Sequence, residues 1–171
     1  MNGSVGNSLL LYLVIFIVIA VMLFYVGIIS YSKAYRVKDN IIEIIEKYKK
    51  YEYDPTDFTD VQKEINWSLK QSGYGITTAS KINTLCESGN VLNHVDKAVS
   101  NIATDTENLH AVTTNDYNYC VFKVTNKSAY DGGVYYIVVT FVHFDFPVIG
   151  DRLNIPVYGE TKVLGKKFDY D

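Results

Sequence analysis

LLLYLVIFIVIAVMLFYVGII, residues 9–29, is followed after Ser30–Lys33 by AYRVKDNIIEIIEKY, residues 34–48, and these two stretches together decide the fold. The first is 21 residues without a charge, and none of the residues from Met1 to Ser32 carries one. At about 1.5 Å per residue such a helix crosses the ~30 Å hydrocarbon core of a bilayer. The second stretch changes pattern without breaking. Ala34, Val37, Ile41, Ile44 and Tyr48 recur at intervals of three and four, with Ile42 and Ile45 widening the stripe, while Lys33, Arg36, Glu43, Lys47 and Lys50 fall largely opposite. Glu43 with Lys47 and Glu46 with Lys50 have the spacing of helical ion pairs. No Gly or Pro lies between Gly27 and Pro55. The spacing therefore predicts one helix over 9–51, transmembrane in its first half and amphipathic in its second, after a short segment 1–8. Its outer stripe needs a partner, and the chain's own domain is the nearest candidate to cover at least part of it.

The 48% hydrophobic content and the net charge of −3 would by themselves suit an ordinary soluble domain, but this segment excludes a purely cytosolic chain. A cleaved secretory signal has an apolar run of only about 7–15 residues behind a basic start. MNGSVGNS has no Lys or Arg, and the one small-x-small candidate is Ser30-Tyr31-Ser32. A retained anchor fits better, with Tyr12, Tyr25 and Tyr31 near its two ends, where aromatic rings favour the interface. The side of the membrane is left open by two opposing signals. Lys33, Arg36 and Lys38 follow the span and nothing basic precedes it, which favours a cytoplasmic domain. Cys86 and Cys120, the only cysteines, are the candidate disulfide of an oxidising compartment.

Residues 52–171 form the globular part, with room for one modest core. Thr59 and Gln62 make a capping box ahead of Val61, Ile65 and Leu69, and Gly73 stops the helix. From Gly73 to Asn90 the chain reads as loop or short strand. Val91, Leu92, Val95, Val99 and Ile102 have the spacing of a third, short helix. Tyr117–Thr125 alternates, with Cys120, Phe122 and Val124 on one face. Asn126–Gly133 is turn chemistry. Val134–Phe146 is apolar on both sides, as a central strand is, and Leu153, Ile155 and Val157 alternate again, with Pro156 placing that strand at an edge or bulge. Thr161–Leu164 extends it. The fold class is α+β: a long helix, then a small antiparallel sheet domain.

Motifs for catalysis are missing. The sequence has no Gly-x-Ser-x-Gly, His-Glu-x-x-His, phosphate loop or Cys-x-x-Cys. His94, His110 and His143 lie in separate segments. His143 and Asp145 share a strand face, a pairing that is more often a surface hydrogen bond than a metal site. Glu52, Asp54, Asp57, Asp60 and Glu64 crowd the start of the second helix, where its dipole favours acids without calcium. Gly73-Tyr74-Gly75 reads as a turn. From Tyr51 onwards 16 acidic against 10 basic residues give a formal −6, which repels nucleic acid. Neither an enzyme, a cofactor, a metal nor a small-molecule substrate is expected. The 15 tyrosines suit either an adhesive sheet or an amphipathic core.

This order of parts resembles the type IV pilins and pseudopilins: a retained apolar helix, an amphipathic half, a small antiparallel sheet and one disulfide. The last residues are similar to the TadE-type pilin-like proteins of tight-adherence systems. Val139-Thr140-Phe141-Val142-His143-Phe144-Asp145-Phe146 reads as their aromatic strand, Pro147-Val148-Ile149-Gly150 as the apolar loop, and Leu153–Lys162 as the final strand and its tail. The resemblance implies a bacterial surface or secretion filament, an extracytoplasmic C-terminal domain on a single-pass cell-membrane helix, and other pilin-like subunits as partners through that helix. One departure matters. Pilins carry a Glu five residues after the processing Gly, whereas Ser8 follows Gly3 and Leu11 follows Gly6 at that distance, and no Glu precedes Glu43. A minor, priming or accessory component is therefore expected rather than a polymerising major subunit. A single-pass anchored binding domain outside any filament is the alternative.

Overall fold

The computed structural model describes residues 2–52, 59–74, 85–99, 104–110, 119–126, 133–143 and 154–164. Helix α1 runs unbroken over Asn2–Tyr48, 47 residues or about 70 Å. It stops three residues before the expected end at Tyr51, because Lys49 turns into the left-handed conformation at φ 58°. Tyr51 is then buried in the domain. The early stop also removes Lys50 from the helix, so the expected Glu46–Lys50 pair does not form. Lys50 pairs with Glu52 at 3.0 Å, and Glu46 turns to Lys162. Lys47 likewise bonds Glu64 of the next helix, at 2.7 and 3.0 Å, in place of Glu43.

Helix α2, Asp60–Ser72, has the capping box expected of its sequence. The Thr59 hydroxyl accepts from the Gln62 N–H, and the Gln62 side chain accepts from the Thr59 N–H. Gly73 ends it at φ 57°, where a Cβ would be strained. Val61, Ile65 and Leu69 are buried on one face, and Trp67 is 63% exposed on another. Helix α3, Gly89–Val99, buries Val91, Val95 and Val99 as their spacing predicted. Ile102 lies outside the described residues.

The sheet is a four-stranded antiparallel meander in the order β1 (Thr104–His110), β2 (Tyr119–Asn126), β3 (Val134–His143), β4 (Asn154–Glu160). Strand β1 was not expected. Its sequence TDTENLH neither alternates nor favours strand, and pairing with β2 imposes the conformation. β3 is central and β4 an edge, where Pro156 was placed. β3 Tyr136 exchanges bonds with Thr161, so even-numbered β3 residues point their amides towards β4. Phe141 therefore points the other way, Phe141–Pro156 is a non-hydrogen-bonded pair, and the donor that Pro156 lacks would have faced the free edge. Thr161–Leu164 continues the strand through a bridge from Leu164 to Val134.

Both faces of the sheet are covered. One carries α1 and α2, packed through Val37, Ile41, Ile45, Ile65 and Leu69 onto Tyr119, Val121, Val138 and Val142. The other carries α3, with Val91, Val95 and Val99 against Cys120, Phe122, Ile137, Val139 and Phe141. The apolar interior is therefore two layers about one sheet rather than the single core anticipated. Each buried aliphatic side chain contributes about 1.5–3 kcal/mol.

Candidate functional site

The feature that sets this chain apart is the division of α1. Over residues 9–29 every large apolar side chain that lies open stands between 42% (Leu23) and 72% (Phe16) exposed, and among the described residues neither buried apolar cluster includes a residue of this half. A continuous exposed apolar surface of this size has to be covered by lipid or by another protein. Length and composition suit a single crossing of a membrane, and an N-terminal signal sequence meets the same two conditions.

Past Ser32 the same helix becomes the spine of the domain. Of the stripe singled out from the sequence, Ala34, Val37 and Ile41 are each 1% exposed, and Ile44 is also buried. Tyr48, at 37%, is half out. The chain's own sheet and α2 consume this surface, so it does not present the four buried residues to a second helix. Tyr48 instead leans on the Lys47–Glu64 pair, which holds the Glu64 carboxyl below its ordinary range and the Lys47 ammonium above its own.

Four contacts that the sequence did not reveal fix α1 to the sheet. The Thr140 hydroxyl, wholly buried on β3, donates to the Ala34 carbonyl at 3.1 Å. At Gly159 of β4 an added Cβ would lie 2.6 Å from Lys38 Cδ and 2.7 Å from Ile42 Cδ1, so the helix crosses close enough that any side chain there would have to displace them. The Tyr51 N–H donates to the Tyr136 hydroxyl at 3.1 Å just past the helix end. The Lys162 N–H donates to Glu46 Oε1 at 2.8 Å and holds that carboxyl below its ordinary range. A threonine inside an apolar strand and a glycine in a strand are the signals that could have found the first two.

Tyr74 ties α2 to the same place. Its hydroxyl donates to the Phe141 carbonyl at 2.9 Å and accepts from the Phe141 N–H at 2.7 Å. Thr140, the residue before Phe141, pairs with Tyr119 of β2, so the phenol binds the strand one residue past that pair. Burial pushes its ionisation well above the usual tyrosine range. The sequence reading had given this position only to a turn.

Cys86 is disulfide-bonded to Cys120, with Cα atoms 5.8 Å apart, and both are fully buried. The bond joins the segment leading into α3 to the strand face that α3 covers. It closes a loop of sequence separation 34, which the chain-entropy account values at about 3–4 kcal/mol.

Of the residues weighed for metals, the described ones lie on separate elements or have partners of their own. His94 stacks on Tyr158 at 3.7 Å between centroids, His110 ends β1 and His143 ends β3. Asp54, Asp57 and Asp145 lie outside the described residues. Glu52 and Glu64 are in the ion pairs above, and Asp60 is 3.9 Å from Lys63. Among the described residues no three His, Cys, Asp or Glu side chains are grouped to hold a metal. Compared with known proteins, the chain matches no family model, no curated relative and no solved structure.

Proposed function

We propose that this chain is a membrane-anchored, pilin-like accessory subunit whose working surface is the exposed half of α1 and whose domain lies outside the cytoplasm. The observation that carries the reading is the continuity of α1. One helix without a hinge leaves its apolar half free and gives its amphipathic half to a four-stranded antiparallel sheet. That is the plan of parts on which the resemblance to pilins rests. A buried disulfide supports an oxidising compartment. Two of the three basic residues after the span, which argued for the opposite side, have contacts within the chain. Lys33 donates to the Gly73 carbonyl, and Lys38 pairs with Asp39 at 3.0 Å and lies over the Tyr35 ring.

Burial of the Ala34–Ile44 stripe narrows how such a subunit works: lateral packing falls to residues 9–29 alone. It also favours the second reading, an anchored domain that binds an envelope partner and enters no filament. Shearing cells that make the protein separates the two. A pilin-like subunit is expected in the released fraction with other proteins of the same helix type, and Ile19→Lys is expected to remove it from that fraction. A chain that stays wholly in the membrane as a monomer refutes the filament reading.

A further inference from the structure

We propose that the membrane-facing rim of the domain is a lipid contact in its own right, docking on the anionic phosphate headgroups of the bilayer that α1 spans. The proposal rests on the anchored reading above. Lys33 lies four residues past Ile29, about 6 Å along the axis, and a headgroup layer is about 5–8 Å deep. The Lys33 ammonium donates to the Gly73 carbonyl, which places the C-terminus of α2 at that level. Thr140 donates to the Ala34 carbonyl one residue on, which brings the end of β3 there too. Because α1 has no hinge, the rim stays within reach of the surface, and the tilt of the helix decides whether it makes contact. A helix tilt of about 20° moves a point about 10 Å from the axis by only about 3–4 Å.

Among the described residues, charge at this rim is opposite to that of the domain as a whole. Residues from Tyr51 onwards carry 16 acidic and 10 basic side chains. Yet the described residues at the rim are Tyr31, Lys33, Tyr35, Arg36, Lys38 and Lys70, and the acids nearest to them along their helices are Asp39 and Glu64. Lys33 and Lys38 are engaged as described. Arg36 and Lys70 are exposed, with no acidic partner among the described residues. Tyr31 and Tyr35 are exposed beside them with ring centroids 4.5 Å apart and their hydroxyls bonded at 2.8 Å, an amphipathic pair suited to the headgroup zone. A cation near an anionic surface gains about five-fold in binding, so Arg36 and Lys70 together supply about thirty-fold.

The test uses the full chain in vesicles of phosphatidylcholine with or without phosphatidylglycerol. Trp67 is the single tryptophan. Trp67→Phe with Gln71→Trp moves the reporter to the exposed last turn of α2, and brominated lipids quench it on contact. The expected result is strong quenching in the anionic vesicles only. Arg36→Gln with Lys70→Gln, or high salt, should reduce it several-fold, and Lys63→Gln, two turns further from the rim, should not. Equal quenching in neutral and anionic vesicles overturns the proposal, as does no quenching in either or an equal loss with Lys63→Gln. A chain that does not float with vesicles overturns the anchored reading and this proposal with it. One that floats unquenched overturns the lipid contact alone.

Discussion

Replacing Tyr74 by Phe removes a single oxygen, and the structure specifies what that oxygen does. It donates to one buried backbone group of Phe141 and accepts from the other, at 2.9 and 2.7 Å, one residue past the Tyr119–Thr140 pair. Phenylalanine fills the same space but leaves an N–H and a C=O without those bonds. A buried unsatisfied group costs about 1–3 kcal/mol, so the two together set an expected loss of about 2–4 kcal/mol. The pH dependence gives an independent check. Burial raises the ionisation of this phenol above its unfolded value near 10. Its stabilisation is therefore fully present below pH ~10 and is lost as pH climbs towards the folded value, by about 1.4 kcal/mol per pH unit. Urea unfolding of the full chain in micelles, followed by far-ultraviolet circular dichroism, measures both effects. The gap between wild type and Tyr74→Phe should be constant from pH 7 to about 9 and then narrow. A loss below ~0.5 kcal/mol, or a gap that does not change through pH ~11, refutes the assignment of Tyr74 as the partner of both Phe141 backbone groups.

Gly159→Ala should cost about 1 kcal/mol, because Lys38 Cδ and Ile42 Cδ1 are flexible ends that can give way, whereas Gly159→Val should cost about 3 kcal/mol and be partly rescued by Ile42→Ala. Urea midpoints check both, and no rescue would mean that α1 does not cross β4 there. Cys86→Ser with Cys120→Ser should lower stability by about 3–4 kcal/mol and should speed amide exchange in α3 more than in α1. Uniform loss of protection contradicts the disulfide's local role. Glu46→Gln should be close to neutral at pH 4 and lose up to ~1 kcal/mol at pH 7. The Lys162 N–H holds the Glu46 carboxyl low, so its contribution exists above the carboxylate range and fades as pH falls through it.

What the sequence disclosed were the features that a local pattern encodes. The capping box of Thr59 and Gln62, the αL stop at Gly73, the stripes of α2 and α3 and the edge position of Pro156 all depend on neighbours in the chain, and all are present. Strand β1 was missed because its conformation is imposed by β2 rather than by TDTENLH itself. Tyr74 was missed because its role is fixed by Phe141, 67 residues away. The amphipathic stripe was legible as a stripe, but nothing local says whether a sheet of the same chain or a second helix will cover it. The exposed half of α1 was fully legible, since 21 uncharged residues need no tertiary partner to declare themselves.

The central claim is that α1 is retained and holds the domain outside the cytoplasm. Protease treatment of intact cells, with the membrane fraction then analysed by mass spectrometry, tests both parts at once. The account predicts that the domain is digested from outside and that a fragment containing Leu9–Ile29 stays in the membrane. A domain untouched until the cells are broken contradicts the topology, and a mature chain beginning at Lys33 contradicts the anchor.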